Sequence, residues 1–68
     1  MKDFENKIIR VYLNEQNGYV METGLYIDMN NDFLVIKNTF NNKIQYLSKY
    51  IIRHIEILRS VNELGGDE

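Results

Sequence analysis

The run Tyr19–Met29 most constrains this chain, because it alternates like a single strand yet is too long to lie straight in a protein of this size. At roughly 3.3 Å per residue its eleven positions would span about 36 Å. A compact chain of 68 residues has a radius of gyration of only about 11 Å. The strand therefore has to bend, and Gly24 is its one interior position without a side chain to obstruct a sharp curve. Strands that bend this hard build small barrels. The expected fold is all-β, a five-stranded and strongly bent antiparallel barrel with no substantial N-terminal helix.

The rest of the chain divides accordingly. Lys7–Leu13 alternates, with Ile9, Val11 and Leu13 on one face and Arg10 and Tyr12 on the other, as a half-buried strand does. Asn14–Gly18 follows and ends in an Asn-Gly pair, which tolerates positive φ and makes hairpins. In the long strand Tyr19, Met21, Thr23, Leu25 and Ile27 share a face, opposed by Glu22 and Asp28. A polar turn, Asn30-Asn31-Asp32, leads into the apolar run Phe33–Lys37, and Thr39–Asn42 is the next turn. Lys43–Leu47 reads as a fourth strand, and Ser48-Lys49-Tyr50 as a tight connection, one turn of 3₁₀ helix with Ser48 as its cap.

The fifth segment has two readings. Ile51, Ile52, Ile55 and Leu58 recur at helical spacing, and a helix over Lys49–Val61 would give a four-stranded sheet with a covering helix. Its β-branched Ile-Ile and Ile-Glu-Ile favour the pleat, so Ile51–Leu58 is expected as a fifth strand. Residues 1–6 then form an N-terminal extension, 7–58 the barrel and 59–68 a flexible acidic tail.

Composition narrows the classes of function. The chain has no cysteine, which excludes disulfides, thiolate metal sites and a cysteine nucleophile. A core this small is marginal alone, and other subunits are the expected supplement. Three of the ten acidic residues, Glu63, Asp67 and Glu68, fall in the last six positions; residues 1–62 carry eight basic and seven acidic side chains. That near-neutral body lacks the basic balance of a duplex-DNA binder. Neither an apolar signal-peptide core at the N-terminus nor a membrane-length apolar window is present, so a cytoplasmic location is expected.

The order of parts resembles the Sm-like family, which includes the Sm proteins and the bacterial RNA chaperone Hfq. The resemblance rests on Val11-Tyr12-Leu13, the Asn17-Gly18 hairpin, Gly24 in a bent second strand, the Asn30-Asn31-Asp32 turn, and Phe33 to Thr39 after it. A second segment, Leu47 to Ile55, is similar to the family's second motif, so the likeness covers residues 7–58. Ser48-Lys49 stands where the Sm branch has Arg-Gly and the Hfq branch a Tyr-Lys-His segment, the hairpin carries an extra Asn14-Glu15-Gln16, and the N-terminus is too short for the family's usual first helix.

The resemblance implies an oligomeric ring in which the turn between strands two and three and the turn between strands four and five surround a pore and bind single-stranded RNA. Such recognition needs an aromatic plane, amides for base edges and a cation for phosphate. Phe33 is the candidate platform, Asn30 and Asn31 the amides, and Lys49 and Arg53 the cations. The duller account is that Phe33 is core, the asparagines serve the turn and Lys49 is a solvated cation. Tyr12, Tyr19, Tyr26, Tyr46 and Tyr50 suit a subunit interface, and both faces of the last strand are partly apolar. Tyr46, Tyr50, Ile52, Ile55 and Ile57 are therefore candidate interface residues, through which this edge strand would add to the fourth strand of a neighbour and close a ring.

No catalytic constellation emerges. His54 is the sole histidine, with no acidic cluster beside it, so neither a metal site nor a cofactor is expected; Ser48, Ser60, Asp28 and His54 show no nucleophile setting, and Gly65-Gly66 makes no phosphate loop. Two alternatives stand beside RNA binding: a protein-interaction barrel that has lost the pocket, and a capsid or adapter piece of phage or mobile-element origin.

Overall fold

The computed structural model describes residues 2–16 and 18–61; Asn17, the expected acidic tail from residue 62 onward, and the side chains of Lys2 and Tyr19 lie outside the described residues. After a 3₁₀ turn at Lys2–Phe4 come β1 (Lys7–Glu15), β2 (Gly18–Met29), β3 (Phe33–Asn38), β4 (Ile44–Ser48) and β5 (Ile52–Ser60). A second 3₁₀ turn, Lys49–Ile51, joins the last two, capped by Ser48, whose Oγ accepts from the Tyr50 N–H at 3.3 Å. The strands form one antiparallel sheet in the order β4-β3-β2-β1-β5. The fold is all-β, and the helical reading of Lys49–Val61 gives way to a strand paired with β1. The folded body also reaches beyond Leu58, since the Val61 N–H donates to the Asn6 carbonyl at 2.7 Å.

β2 changes partners along its length. Residues 18–25 pair with β1 and residues 24–29 with β3, so only Gly24 and Leu25 have neighbours on both sides. Gly24 is required there for room rather than for a special φ. A Cβ at Gly24 would lie 2.5 Å from the Lys37 carbonyl oxygen and 3.0 Å from Ile36 Cδ1, far inside a normal contact.

The face that alternation picks out on β2 is the outer one. Cross-strand partners share a face, and the buried Ile9 and Val11 sit opposite Gly24 and Glu22. Tyr26 follows that parity into the core. A register shift between Tyr26 and Asp28 then inserts an extra residue, which flips the parity so that Met29 packs inward. Met21 and Ile27, by contrast, are exposed. The core comprises Ile9, Val11 and Leu13 of β1, Tyr26 of β2, Leu34 and Ile36 of β3 and Leu47 of β4, with Phe4, Met29, Ile51, Ile52 and Ile55 packed around them. Burial raises the Tyr26 phenol above its ordinary range, and the carboxylates of Asp28 and Glu5 push it the same way.

The inward-facing polar residues are tied together. Asn38, only 4% exposed, donates through Nδ2 to Gln45 Oε1 at 2.9 Å and Glu22 Oε1 at 3.2 Å. Its Oδ1 accepts from the Phe40 and Asn41 N–H groups at 2.8 and 3.3 Å, which closes the turn between β3 and β4. Every hydrogen-bonding position of this amide is used.

The sheet does not close on itself. Among the described residues β4 pairs only with β3 and β5 only with β1, so in place of the expected closed barrel there is one open five-stranded sheet. No helix among the described residues is long and apolar enough to cross a membrane.

Candidate nucleic-acid interface

The junction of interest starts from Asn30. Its Oδ1 accepts hydrogen bonds from the Asp32 and Phe33 N–H groups, both at 2.8 Å, and its own N–H donates to the Phe33 carbonyl at 3.0 Å. Asparagine is suited to this because its short side chain mimics a turn of backbone. The side-chain carbonyl is thereby spent on the turn, which leaves the Nδ2 amide as its remaining polar group. Asn31, next in the same turn, is exposed.

The β2–β3 turn is bound to the β4–β5 connection. The Lys49 N–H donates to the Asp32 carbonyl at 2.9 Å, and Phe33 stands opposite Ser48 in the β3–β4 register. Asn30, Asn31, Phe33 and Lys49 are thus gathered at one end of the sheet. Arg53 is not part of this junction. It lies exposed on β5, which pairs with β1, on the far side of the 3₁₀ turn.

Phe33 sits on the outer face of β3, 40% exposed, and not in the core. Its ring meets Tyr46 edge-on, with centroids 6.1 Å apart and planes at 86°, an arrangement favoured by the ring quadrupoles. Tyr46, 67% exposed, is a diagonal cross-strand neighbour, since it faces Val35 and Ser48 faces Phe33. That pairing was out of reach of sequence reading because it depends on the β3–β4 register. Asp32, whose carbonyl joins the two turns, was not among the sequence candidates.

The interface candidates divide by location. Tyr46 and the neighbouring Ile44 are exposed along the β4 edge, and Tyr50 is 88% exposed on the 3₁₀ turn. On β5 Ile57 is exposed, whereas Ile52 and Ile55 are half-buried and pack against their own core. Of the other tyrosines, Tyr26 is a core residue. Tyr12 donates its O–H to Glu56 Oε1 at 2.8 Å and lies 5.5 Å from the His54 ring, on the outer face where Arg10 also meets Glu56 at 3.6 Å. The Arg10–Glu56 pair is solvent-exposed and contributes little.

Among the described residues no group of three or more His, Asp or Glu side chains is placed to hold a metal ion. The junction offers groups for recognition: an aromatic surface, amide donors, one ammonium and one carboxylate. Its opposite charges, Lys49 and Asp32, leave it locally near neutral. No family model matches this chain, and neither a curated protein nor a solved structure matches it.

Proposed function

We propose that this protein is a non-catalytic, self-associating cytoplasmic module of the Sm-like type, which binds single-stranded RNA at the joined turns. The observation that carries the reading is the Lys49 N–H to Asp32 carbonyl hydrogen bond, which ties together the two turns that the family resemblance makes the RNA site. Phe33 supplies a partly exposed ring for base stacking, and Lys49 a cation for phosphate. Self-association follows from the two open edges. Among the described residues β4 and β5 are the edge strands of the sheet and carry exposed apolar side chains, a combination that invites strand addition by a neighbour.

Light scattering on nuclease-treated protein is expected to report a multiple of the monomer mass. Labelled homopolymer RNA is expected to bind in anisotropy measurements at about 50 mM salt and to be released as salt rises. Phe33→Ala should weaken that binding about tenfold, the loss of one base stack. A monomeric mass, or the absence of binding to any homopolymer, would overturn the corresponding half of the proposal.

A second reading is favoured by one observation. The Phe33–Tyr46 contact makes the platform continuous with the apolar β4 edge, as suits a surface that docks on protein. Stoichiometric recovery of a protein partner after nuclease treatment, with no RNA affinity, would select it.

A further inference from the structure

Resting on the RNA-binding reading, we infer that the junction selects guanine over uracil, with the Asp32 carboxylate accepting from the guanine N1–H and N2–H₂ groups. The inference comes from the donors and acceptors that the turn leaves unused. Asp32 serves the fold through its backbone, its N–H bonding Asn30 Oδ1 and its carbonyl accepting from Lys49. Its side chain is exposed, and Asp32 directly precedes Phe33, the stacking surface, in the chain. An ionised carboxylate is acceptor only.

The bases differ in how they meet such a group. Guanine presents two adjacent donors on its Watson–Crick edge, matching both carboxylate oxygens. Uracil offers a single N3–H flanked by two carbonyls, which a carboxylate repels. Adenine and cytosine each offer one exocyclic amine beside a ring nitrogen that is itself an acceptor. Only guanine allows a two-point contact.

The remaining guanine group, the O6 acceptor, needs a donor, and the junction supplies amide and ammonium donors beside its carboxylate. Asn30 has spent its carbonyl on two backbone N–H groups, which leaves Nδ2, and Lys49 has no acceptor at all. The junction thus combines a carboxylate acceptor with amide and ammonium donors at the end of the sheet that carries Phe33, the set of groups a guanine edge requires.

The experiment compares a labelled six-nucleotide oligouridine with the same strand carrying one central guanosine, against native protein and Asp32→Asn. The native protein should bind the guanosine strand about tenfold more tightly, the discrimination expected of a two-point base contact. Asp32→Asn should abolish that preference, since it removes the paired carboxylate acceptors and leaves the backbone bonds of the turn in place. Equal affinity of the native protein for both strands, or a preference that survives Asp32→Asn, would overturn the inference while leaving RNA binding intact. Failure of both strands to bind would overturn the RNA reading, and the inference with it.

Discussion

Replacing Gly24 with alanine isolates the close approach of β2 and β3 at the point where β2 changes partners. The added methyl would sit 2.5 Å from the Lys37 carbonyl oxygen and 2.9 Å from the Lys37 carbonyl carbon. Both atoms are backbone, so no rotamer change relieves the clash, and β3 has to back away from β2 at the point where β2 changes partners. Overpacking of this kind costs about 1–3 kcal/mol. Weakening one adjoining ladder hydrogen bond adds about 1 kcal/mol. Against this, alanine restricts the unfolded chain and returns about 0.4–1 kcal/mol. The net expectation is a loss of about 2 kcal/mol, a large part of the roughly 3–10 kcal/mol available to a domain of 68 residues. At about 4–8 °C per kcal/mol the midpoint should fall by about 8–16 °C in thermal denaturation followed by circular dichroism. Amide chemical shifts should move chiefly at Ile36, Lys37 and Asn38. Gly18→Ala makes the useful contrast: a Cβ there meets nothing within 4 Å, but φ is +124°, so its cost is local backbone strain and its shifts should stay in the hairpin. If Gly24→Ala melts within about 2 °C of the parent, or if its shifts spare β3, the strands are not as close as described.

Three further outcomes are expected. Asn38→Leu should cost about 2–4 kcal/mol in urea denaturation, because it strands the Glu22 and Gln45 acceptors and the Phe40 and Asn41 N–H groups that this one amide satisfies. The raised Tyr26 phenol means that the folded state favours the neutral ring; that contribution is fully present below about pH 10 and is lost as pH climbs through the higher folded value. Melting curves of Tyr26→Phe at pH 8 and pH 11 should therefore show a smaller alkaline loss of stability than the parent, and an equal loss would contradict the assignment. Tyr46→Lys, at an exposed position of the β4 edge, should shift light-scattering mass toward the monomer with little change in the monomer's fold, because charge on an edge strand discourages strand addition.

Much of the local architecture was legible from residues close together in the chain. The alternation of Ile9, Val11 and Leu13 identified β1 and its buried face, the β-branched segment Ile51 to Leu58 resolved in favour of a strand, and Ser48 caps the 3₁₀ turn it was expected to cap. The candidate site was half legible. Asn30, Asn31 and Phe33 are neighbours in sequence, and Lys49 joins them through a backbone bond. Arg53, four residues beyond Lys49, falls instead on β5, because the 3₁₀ turn carries the chain away from the junction.

Sequence alone determined the period of each strand and the positions of the turns, since these depend on steric and hydrogen-bonding preferences acting over a few residues. Tertiary structure decided the phase. Which face of β2 points inward follows from its register with β1, and the bulge after Tyr26 reverses it, because a period of two carries no information about which parity is buried. The same holds for Gly24, whose need to be glycine comes from the approach of Lys37, and for Asp32 and Lys49, joined across the fold by a bond between backbones that no local preference specifies.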